Sequence, residues 1–466
     1  MIVVFIIVLL LFAAIGISSA QKKKANTKDY LLAGQNVKPW LVGLSAVATN
    51  NSGYMFIGMI GYTYTVGLQS IWLMVGWIVG DFIGSIFVYG KLRQMSDQYK
   101  ILSFGSLVAN NNGKNIRSVQ FLAGIISLVF LSTYAAAQFS AGGKALYATL
   151  EWNQSIGIVM SAVLVVLYCF AGGIRASIWT DAAQSIVMVL AMSLLLVYAV
   201  IDQGGWSDTW IKLGEVSTDY LSIIDSSKSL PMAILFLLGW LFAGFGVVGQ
   251  PHIMVRYMTL DKPENIGKVR LYYYTWFTGF YALAIGVGLL SRIVLTQQGD
   301  FDPELALPLM TVQLLPDYLA GIMLAGILAA TISTADSLII SCTASLSNDV
   351  FPQFKQDYLA SKLFTVGITV LAVGIALWGR SSVFEIVIYA WAVLGTVFGP
   401  VITLRMMGKH INQKTTLAMM IGACAVTLVW NFTGLGLKVV YEMMPGIMTG
   451  FGVYLGMTSI GLNREK

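Results

Sequence analysis

Charged residues are scarce in this sequence. Only 11% of its 466 residues are Asp, Glu, Lys or Arg, whereas 57% are hydrophobic, and the mean hydropathy is +0.76. A soluble domain uses about a quarter of its residues as charged groups to cover its surface. The deficit excludes a soluble protein and indicates a chain whose surface faces lipid. The net charge of +6 therefore reports on membrane topology, and no nucleic-acid partner is expected.

Cysteine and histidine are also rare. The three cysteines, Cys169, Cys342 and Cys424, lie in separate apolar segments, and the two histidines, His252 and His410, stand far apart. Neither pattern has the spacing of a zinc site or of a disulfide framework. The sequence contains no phosphate-binding loop and no recognisable Ser-His-Asp arrangement, so we do not expect an enzyme. Without a nucleotide site, transport would be passive or driven by an ion gradient.

Apolar stretches of about 20 residues recur along the whole length, and each is long enough to cross a bilayer as a helix. They are continuously apolar rather than alternating, which argues against a barrel. We predict an all-α integral membrane protein with about 13 spans and a single transmembrane domain. The approximate edges of the spans are 2–20, 40–66, 69–90, 119–147, 153–171, 178–201, 231–258, 271–296, 318–346, 359–379, 382–406, 416–433 and 438–460.

The distribution of basic residues supports this count. With the N-terminus outside and the C-terminus inside, the inner segments hold 22 of the 28 Lys and Arg residues, as the positive-inside rule requires. The first apolar segment is followed, not preceded, by Lys22, Lys23, Lys24 and Lys28. A secretory signal carries its charge before the apolar run, so we interpret this segment as a retained helix.

The two longest outer loops, 202–230 and 299–317, carry most of the acidic residues outside the spans. Within the second loop, residues 300–315 are predicted to form a short surface helix. Neither loop is long enough to be a separate domain.

Two of the spans are interrupted by residues that weaken a helix. The second contains ATNNSG at 48–53, and the seventh contains GFGVVGQP at 244–251. Gly and Pro lower helix stability, and Asn and Ser offer the backbone competing hydrogen bonds. In lipid, a break is tolerated only where the freed backbone is buried or lines a cavity. Spans 2–6 and 7–11 make two sets of five, each opened by a broken span, which favours a transporter site over packing kinks.

The ninth span carries hydroxyl groups along one helical face. In ATISTADS at 330–337, Ala330, Ser333, Thr334 and Ser337 follow the i, i+3, i+4, i+7 spacing. Hydroxyls there, with carbonyls freed in a broken neighbouring helix, would suit a small hard cation. A packing face of small residues with internal hydrogen bonds is the alternative.

Three acidic residues, Asp81, Asp181 and Asp336, are predicted to lie inside the membrane. A charge at this depth is expensive and indicates function by default. Asp181 could bind a cation or pair with Arg175, and Asp81 could be a packing acid paired with a neighbouring helix. Gln138 would be either a solute donor or a link between helices.

Short motifs run through nearly the whole length in a fixed order. They are DYLLAG at 29–34, LSA at 44–46 with SG at 52–53, GG at 172–173 with WTD at 179–181, GQPH at 249–252, Ala330 with ST at 333–334, and AWA at 390–392 with FGP at 398–400. Each motif alone has low specificity for a family, but the order and spacing of the motifs together are specific. By these motifs the chain resembles the sodium/solute symporter family, and within it most closely the sodium/proline symporters.

The resemblance implies a LeuT-type core of five-plus-five inverted repeats, with extra helices at both ends. It also implies an alternating-access sodium symporter in the bacterial-type inner (plasma) membrane. The first repeat would cover residues 40–201 and the second 231–406. The extra helices would be one at 1–20 and two within 416–460.

The resemblance also implies where cations would bind. The family's usual sodium site would map to backbone oxygens of Ala48, Asn51 and Ala330 and to the hydroxyls of Ser333 and Thr334. Some members have a further sodium site near the inner side. That site would involve Asp181, Asp336 and Ser337, together with the two hydroxyls of the first site.

The chain departs from the proline transporters at several of these positions. Asn50 stands where they carry an aspartate important for sodium use, and Gln35 stands where they carry an arginine. Ala243 and Val247 stand where they have aromatic substrate contacts. The lost charge would weaken sodium binding unless Asp336 compensates. The two lost aromatic rings imply a wider or differently shaped pocket.

We therefore expect sodium-coupled import of a small polar organic solute, with an amino acid such as proline as the best single candidate. Sodium would bind between spans 2 and 9, and the solute would bind at the two breaks, where a half-helix N-terminus could hold a carboxylate. The expected solute contacts are Ser45, Asn50, Ser52, Gly53, Tyr54, Gln138, Ala243, Gly246, Val247 and Gln250.

Three other functions remain open from the sequence. They are a proton- or sodium-coupled symporter of a carboxylate or vitamin, a transporter-like sensor module, and a channel. The expected partners are the solute, Na⁺ and the lipid bilayer, and the sequence does not indicate an oligomeric state.

Overall fold

Helices make up nearly all of the protein. The computed structural model describes residues 1–21, 26–224, 229–296, 300–379, 382–436 and 439–463. The basic residues Lys22, Lys23 and Lys24, which entered the topology prediction, lie outside the described residues. The helices of the N-terminal half are α1 (Ile2–Ala20), α2 (Thr27–Leu32), α3 (Pro39–Gly53), α4 (Ile60–Val66), α5 (Ile71–Gln98), α6 (Phe104–Ala109), α7 (Arg117–Leu150), α8 (Gln154–Asp202) and α9 (Trp206–Val216).

In the C-terminal half, long and short helices follow one another in a similar order. They are α10 (Leu230–Phe245), α11 (Pro251–Met258), α12 (Ile266–Val294), α13 (Ala306–Leu314), α14 (Asp317–Ala344), α15 (Tyr358–Trp378), α16 (Val383–Met406), α17 (Gln413–Phe432) and α18 (Met443–Ser459). Short 3₁₀ helices lie at Ala33–Gln35, Gly67–Ser70, Gly246–Gly249, Pro263–Asn265, Pro303–Leu305 and Pro352–Phe354, and π-helical turns at Tyr54–Met59 and Ser345–Val350. Two short antiparallel strands, β1 (Asn110–Asn111) and β2 (Lys114–Asn115), form a hairpin between α6 and α7.

All thirteen predicted spans coincide with helical segments. Ten helical stretches of the described residues are long and apolar enough to cross a membrane, and the stretch Pro39–Gln98 contains two predicted spans. The remaining two predicted spans match the shorter apolar segment Gln154–Leu167 and α18. The all-α membrane fold is therefore confirmed, whereas the number of crossings and the side of each terminus stay predictions. The predicted short helix at 300–315 is present as α13 and the 3₁₀ turn before it, but five of the nine residues of α13 are buried, so it is not the surface helix expected.

Local sequence accounts for several helix starts. A side-chain oxygen of the residue before the helix accepts a hydrogen bond from a first-turn backbone N–H, which satisfies one of the unpaired donors there. These capping residues are Asn26 for α2, Ser103 for α6, Asn153 for α8, Asp357 for α15, Ser382 for α16 and Asn412 for α17. Proline occupies the first turn of α3, α10 and α11, where its missing N–H costs little.

The centre of the molecule is built around α14 and α16. In their apolar windows, 94% and 89% of the residues are buried, against 33% in α15 and in α17. Helix α14 packs against α3, α7 and α8. It is rich in Ala, Gly, Ser and Thr, which allow neighbouring backbones to approach closely. The hydroxyl-bearing helix is therefore an inner helix of the bundle.

Helices α5 and α10 cross in backbone contact. Gly76 and Gly80 of α5 face the backbone of Trp240 and Leu241, and Gly244 of α10 faces the carbonyl of Trp77. A side chain at any of these glycines would collide with backbone atoms, so the crossing requires glycine on both helices. This contact fixes the end of α10 directly before its break, which begins at Gly246.

Candidate ion and solute site

The break predicted in the second span is present in α3. Ser52 has φ 50° and ψ −177°, and the π-helical turn Tyr54–Met59 follows. The hydroxyl oxygen of Ser52 accepts hydrogen bonds from the Tyr54 backbone N–H (3.0 Å) and from the Tyr134 hydroxyl (3.3 Å). The Gly53 backbone N–H donates to the Gln138 side-chain oxygen at 2.8 Å. Side chains of the break and of α7 thus satisfy backbone groups that an intact helix would pair internally.

The second predicted break separates α10 from α11. Helix α10 ends at Phe245, the 3₁₀ turn Gly246–Gly249 follows, and Gln250 is extended with φ −92° and ψ 107°. The Gln250 amide donates to the Trp391 carbonyl at 2.9 Å, and the Trp391 indole donates to the Ala243 carbonyl at 3.2 Å. The broken segment is therefore tied to α16 on both sides of the interruption.

Aromatic rings line the space between the two breaks. Tyr54 lies 5.8 Å from Trp77 between ring centroids, and Trp77 lies 4.9 Å from Trp391. The His252 ring packs edge-on against Tyr134 at 5.4 Å and against Trp391 at 6.2 Å. These rings connect both breaks through side chains of α5, α7 and α16.

Several buried polar atoms at the two breaks have no hydrogen-bond partner in the described part of the chain. They are Asn50 Oδ1, Asn51 Nδ2, Gln138 Nε2, Gln250 Oε1 and both ring nitrogens of His252. All five side chains are buried. Buried polar atoms are nearly always hydrogen-bonded, so a group of unpaired donors and acceptors among aromatic rings is the kind of surface that a polar ligand would bind.

Helix α14 meets α3 one turn before the break. The Thr334 hydroxyl donates to the Thr49 backbone carbonyl at 3.2 Å, and the hydroxyls of Thr49 and Ser337 lie 3.1 Å apart. The Ser333 hydroxyl donates within its own helix to the Ala330 carbonyl at 3.2 Å. The hydroxyl face predicted from the spacing of these residues is therefore turned towards the broken helix.

A second polar cluster lies one turn further along the same two helices, around the fully buried guanidinium of Arg256 in α11. Its Nη2 lies 3.3 Å from Asp181 Oδ2 and 3.6 Å from Asp336 Oδ1. It also donates to the hydroxyls of Ser177 (2.5 Å) and Ser337. Two carboxylates and one guanidinium leave a formal net charge of −1.

The alternative pairing of Asp181 with Arg175 is wrong. Arg175 pairs with Asp29 at 2.6 Å, beside the kink of α8 at Gly173, whereas Asp181 pairs with Arg256. The positive-inside count assigns Arg256 to the inner segment after span 7, and the structure corrects this assignment. Arg256 is buried inside the bundle, because α11 packs against α3, α5 and α14 after the break.

Other predicted site residues have definite places in the structure. Ser45 donates to Asp181 Oδ2 at 2.6 Å, so it belongs to the cluster around Arg256. Gly246 faces the Met443 side chain of α18. Ala243 and Val247 are buried, and Ala243 contributes its carbonyl to Trp391. Asp81 bonds to Tyr89 of its own helix and is faced by Tyr273 and Tyr274 of α12, in line with the interpretation of a packing acid paired with a neighbouring helix.

The remaining predicted residues form two groups. Ser52, Gly53, Tyr54 and Gln138 meet at the break in α3, as the hydrogen bonds above describe. Ala48, Asn51, Ala330, Ser333 and Thr334 lie on the facing stretches of α3 and α14 and are all buried.

Sequence reasoning missed four side chains of the site. Tyr134, His252 and Trp391 line the breaks, and Arg256 neutralises part of the charge of the two aspartates. His252 and Trp391 belong to the motifs GQPH and AWA, so the motifs themselves were a signal. Arg256 follows GQPH by four residues within an apolar span, which was a signal of its own.

One face of the bundle is closed above the break by an ionic contact. Lys144 of α7 lies 2.6 Å from Glu304 Oε2 and 2.7 Å from Asp302 Oδ2. Glu304 also accepts hydrogen bonds from the Ser382 hydroxyl (2.6 Å) and from the Phe384 backbone N–H (2.8 Å) at the start of α16. The Glu304 carboxylate lies at the N-terminus of α16, where the positive end of the helix dipole favours an anion.

This contact positions an aromatic lid. The Phe384 ring stacks on Tyr54 at 5.4 Å and on Tyr62 at 5.0 Å. Since Tyr54 is the second residue after the strained Ser52, the first turn of α16 covers the break in α3. Through Glu304, the loop before α13 therefore fixes the first turn of α16 over the candidate site.

The opposite end of the bundle has its own polar contact. Asp349 accepts hydrogen bonds from Ser103 (2.6 Å), Ser106 (3.0 Å) and Gln120 (2.9 Å), and Arg117 donates to the Asp349 carbonyl at 2.6 Å. These bonds join the end of α14 to α6 and to the start of α7. Polar contacts thus close the bundle at both ends.

Comparisons with known proteins identify the family. The sequence model of the sodium:solute symporter family matches residues 30–422. The chain belongs to the sodium:solute symporter family. It is therefore a multi-pass transporter of the inner (plasma) membrane and not an enzyme.

Curated relatives match over nearly the full length. The sodium/proline symporter of Escherichia coli (strain K12) is 29% identical over 447 residues, covering 92% of this chain and 87% of that protein. The high-affinity proline transporter of Bacillus subtilis (strain 168) is 28% identical over 437 residues, covering 92% of this chain and 91% of the relative.

Solved structures share the fold. A Na⁺-coupled sialic acid symporter, solved in a substrate-bound outward-open state, superposes with a TM-score of 0.85 at 18% identity, over 100% of this chain and 98% of that chain. A nucleobase-cation-symport-1 family transporter in a closed conformation has a TM-score of 0.59 at 17% identity, over 94% and 96% of the two chains. The LeuT-type five-plus-five architecture is therefore confirmed.

Proposed function

We propose that this protein imports a small polar solute together with sodium by alternating access, with proline as the first candidate solute. The observation that carries the proposal is the contact between the broken helix α3 and the hydroxyl face of α14, where Thr334 donates to the Thr49 carbonyl. A broken helix that lies beside a row of hydroxyls supplies oxygen ligands for a small cation without a charged residue.

The proposed sodium ligands come from these two helices. Ala48, Asn51 and Ala330 would contribute backbone carbonyls, and Ser333 and Thr334 would contribute hydroxyl oxygens. The two hydroxyls now donate to carbonyls of Ala330 and Thr49, so each would exchange a hydrogen bond for a contact with the cation. Every ligand is a neutral oxygen, which suits a monovalent hard cation better than a transition metal.

The cluster around Arg256 is the proposed second cation site. Asp181 Oδ1 and Asp336 Oδ2 have no hydrogen-bond partner in the described ranges, and Ser337 lies beside them. Because the cluster carries a net charge of −1, one monovalent cation would neutralise it, and burial makes that neutralisation valuable. Arg256 already supplies one tethered positive charge, which argues for one added cation and against two.

The solute would bind between the two breaks. An amino acid needs hydrogen-bond donors for its carboxylate and acceptors for its amine. Gln138 Nε2 and Asn51 Nδ2 are unpaired donors there in the described structure, and Gln250 Oε1 is an unpaired acceptor. The rings of Trp77 and Trp391, 4.9 Å apart between centroids, lie between the breaks and would pack against an apolar ring such as that of proline. The relatives named as proline symporters support this candidate.

Alternating access would use the two halves of the chain as repeats. We place the first repeat at residues 40–201 and the second at 231–406, with an additional helix at 1–20 and two more within 416–460. Each repeat then opens with its broken helix. The ionic contact of Lys144 with Glu304 and the bonds of Asp349 would close the two ends of the pathway in turn.

Uptake by the purified protein in proteoliposomes tests the proposal. Radiolabelled proline is offered under an inward sodium gradient, under an inward proton gradient, and with neither. We expect accumulation above the external concentration with the sodium gradient, and competition by excess unlabelled proline. Uptake that equilibrates without accumulation would indicate a channel. Accumulation driven by sodium but competed by a carboxylate and not by proline would assign the solute to the alternative class.

A further inference from the structure

Asp81 is a buried acid that the proposed sodium and solute sites do not use. It lies in the apolar part of α5, and its side chain is fully buried. One carboxylate oxygen accepts a hydrogen bond from the Tyr89 hydroxyl, and the other, Oδ2, has no partner in the described part of the chain. None of the described Lys, Arg or His side chains forms an ion pair with it. An unpaired carboxylate at this depth is expensive unless it binds a cation.

Tyrosine rings from three helices surround this carboxyl group. Tyr89 of α5 stacks on Tyr257 of α11 with 4.0 Å between ring centroids. Tyr257 lies 6.3 Å from Tyr273 of α12, and Tyr273 lies 4.9 Å from Tyr274. The hydroxyls of Tyr257 and Tyr274 have no hydrogen-bond partner in the described structure. The carboxyl group is therefore enclosed by phenol groups, two of which have hydroxyls available.

Few charged or titratable groups face Asp81. Its electrostatic neighbours are Tyr89, Tyr273, Tyr274 and, among the basic residues, Arg270 of α12. Arg270 is only half-buried and donates to the Ser85 backbone carbonyl.

The other elements packed against α5 provide no counter-ion. Helix α10 and the 3₁₀ turns Gly67–Ser70 and Gly246–Gly249 contain no titratable side chain. Asp261 and Glu264, near the far end of α5, face Arg93. Arg256 of α11 is bound to Asp181 and Asp336. Glu385, Tyr389 and Arg405 of α16 are not among the electrostatic neighbours of Asp81.

A single phenol group connects Asp81 to the candidate site. The Asn50 side-chain amide donates to the Tyr273 hydroxyl oxygen at 2.5 Å. Because that oxygen accepts from Asn50, the hydroxyl's own proton is free to be donated towards the carboxyl group that it faces. Asn50 is two residues before Ser52, where α3 breaks. Tyr273 therefore lies between Asp81 and Asn50, so a change of charge on Asp81 acts on a phenol group that is hydrogen-bonded to the broken helix.

We propose that Asp81 is a proton-binding site, coupled to the break in α3 through Tyr273 and Asn50. In the ionised state, the surrounding phenol hydroxyls donate to the carboxylate. When a proton from water binds Oδ2 and forms the O–H bond of a carboxylic acid, one of these hydroxyls turns to accept it. Phenol groups suit this exchange because each one can donate or accept. A sodium ion would need several oxygen ligands that do not also have to donate protons.

Proton binding by Asp81 does not depend on the identity of the solute. Its role as a coupling site rests on the transport function proposed above, because only then does protonation alter a transport cycle. The two parts of the proposal are therefore tested by separate measurements.

Infrared difference spectroscopy tests proton binding directly. Spectra of the purified protein in lipid are recorded at acidic and alkaline pH, with choline chloride as the only other salt. We expect a carbonyl stretching band of a protonated carboxylic acid that titrates with pH and is lost in Asp81→Asn. Asp349→Asn is the matched control, because Asp349 is an equally buried aspartate with three hydrogen-bond donors, and the band should persist.

Two further variants show whether a lost band reflects the missing carboxyl group or a misfolded protein. Asp81→Glu should restore a titrating band at a shifted frequency, and Tyr273→Phe should shift the wild-type band without abolishing it. Equal spectra for the wild type and Asp81→Asn would overturn the proposal. Loss of the band on addition of NaCl at constant pH would also overturn it, because Asp81 would then bind sodium.

Proteoliposomes test the coupling. Labelled proline is used as the probe, and sodium-driven uptake is measured over a range of internal and external pH. We expect the wild-type pH dependence to be lost in Asp81→Asn and to return in Asp81→Glu. If the wild type takes up no proline while the infrared band behaves as expected, the proposed solute has failed and the proton site stands. An unchanged pH profile in Asp81→Asn would overturn the coupling.

Discussion

Arg256 and Asp181 form an ion pair of 3.3 Å in which both side chains are fully buried. Asp336 lies on the other side of the guanidinium at 3.6 Å. A buried ion pair is a weak source of stability, but removing one partner leaves an uncompensated charge, which costs about 3–5 kcal/mol. The Arg256 guanidinium therefore ties α11 to α8 through Asp181 and to α14 through Asp336, and the stability of the cluster depends on its balance of charges.

The first prediction concerns this balance. Arg256→Gln removes the guanidinium and leaves a formal charge of −2 in the core, so its melting temperature in sodium-free buffer should fall below that of the wild type. Sodium should raise the melting temperature of the variant more than that of the wild type, because the cation supplies the missing charge. Thermal unfolding of the protein in detergent over a series of sodium concentrations measures both effects.

The double variant Arg256→Gln/Asp181→Asn serves as the control. It has lost the same guanidinium, but its cluster has the wild-type charge of −1. We expect it to be more stable than Arg256→Gln alone in sodium-free buffer. If the second substitution gives no recovery, packing of the arginine and not charge balance accounts for the loss.

The breaks in α3 and α10 could be predicted from the sequence because they depend on local composition. Gly, Pro, Asn and Ser weaken a helix wherever they occur together, and the structure breaks at Ser52 and Gln250 within the two segments identified. The hydroxyl face of α14 was predictable for the same reason, since helical spacing alone places Ser333 and Ser337 on one side.

The partners of charged residues could not be predicted in this way. Arg175 is six residues from Asp181, yet it bonds to Asp29, which is 146 positions away in the sequence. Arg256 reaches Asp181, which lies in α8, because α11 packs inside the bundle after the break. Such pairings depend on how distant segments pack together, and neither hydropathy nor periodicity contains that information.

The second prediction concerns the proposed sodium ligands. Ser333→Ala and Thr334→Ala each remove one neutral oxygen ligand, and Thr334→Ala also removes a buried γ-methyl group. A hydrogen bond or contact to a charged group contributes about 1.5–3 kcal/mol, so each variant should raise the half-saturating sodium concentration by about ten- to a hundredfold. Sodium-dependent proline uptake in proteoliposomes measures this value.

Ser341→Ala is the matched control on the same helix. Ser341 is also buried in α14, but it lies eight residues beyond Ser333 and outside the proposed ligand set. Its sodium dependence should match that of the wild type. Equal shifts in all three variants would indicate a general effect of helix α14 on activity and would reject the ligand assignment.

The third prediction concerns the close approach at Gly53. A methyl group there would lie 2.7 Å from Thr331 Cγ2 and 2.9 Å from Gln138 Oε1. Gly53→Ala should therefore destabilise the protein by about 1–3 kcal/mol, as overpacking of a core does. It should also disturb the hydrogen bond from the Gly53 backbone to Gln138, so uptake should fall together with thermal stability.

A compensating substitution separates crowding from other causes. Thr331→Ser removes the methyl group that the new side chain would meet and keeps the hydroxyl that donates to the Leu328 carbonyl at 2.8 Å. Gly53→Ala/Thr331→Ser should recover part of the lost melting temperature, whereas Thr331→Ser alone should change it little. A double variant no more stable than Gly53→Ala would contradict the packing explanation.

The fourth prediction concerns the contact that holds α16 over the break. Glu304 is nearly buried, with 8% of its side chain exposed, and it bonds to Lys144, Ser382 and the first backbone N–H groups of α16. Glu304→Gln removes the charge that binds Lys144 and the helix N-terminus. We expect this change to favour the state in which the lid of Phe384 is lifted.

Reactivity of a cysteine placed behind the lid measures that shift. In a background without the three native cysteines, Val247→Cys introduces a buried thiol at the second break. A membrane-impermeant thiol reagent, added from the side that carries Lys144, should label it faster in Glu304→Gln. If the contact contributes about 1.4 kcal/mol, the labelling rate should rise about tenfold.

Asp302→Asn provides the comparison that makes this result specific. Asp302 contacts the same lysine at 2.7 Å, but 42% of its side chain is exposed, and exposed ion pairs contribute only about 0–1 kcal/mol. Its labelling rate should therefore stay much closer to that of the parent. If both variants accelerated labelling equally, the charge of Lys144 alone would control the lid. If neither did, α16 would be held by the stacking of Phe384 on Tyr54 and Tyr62, and not by the acid at its N-terminus.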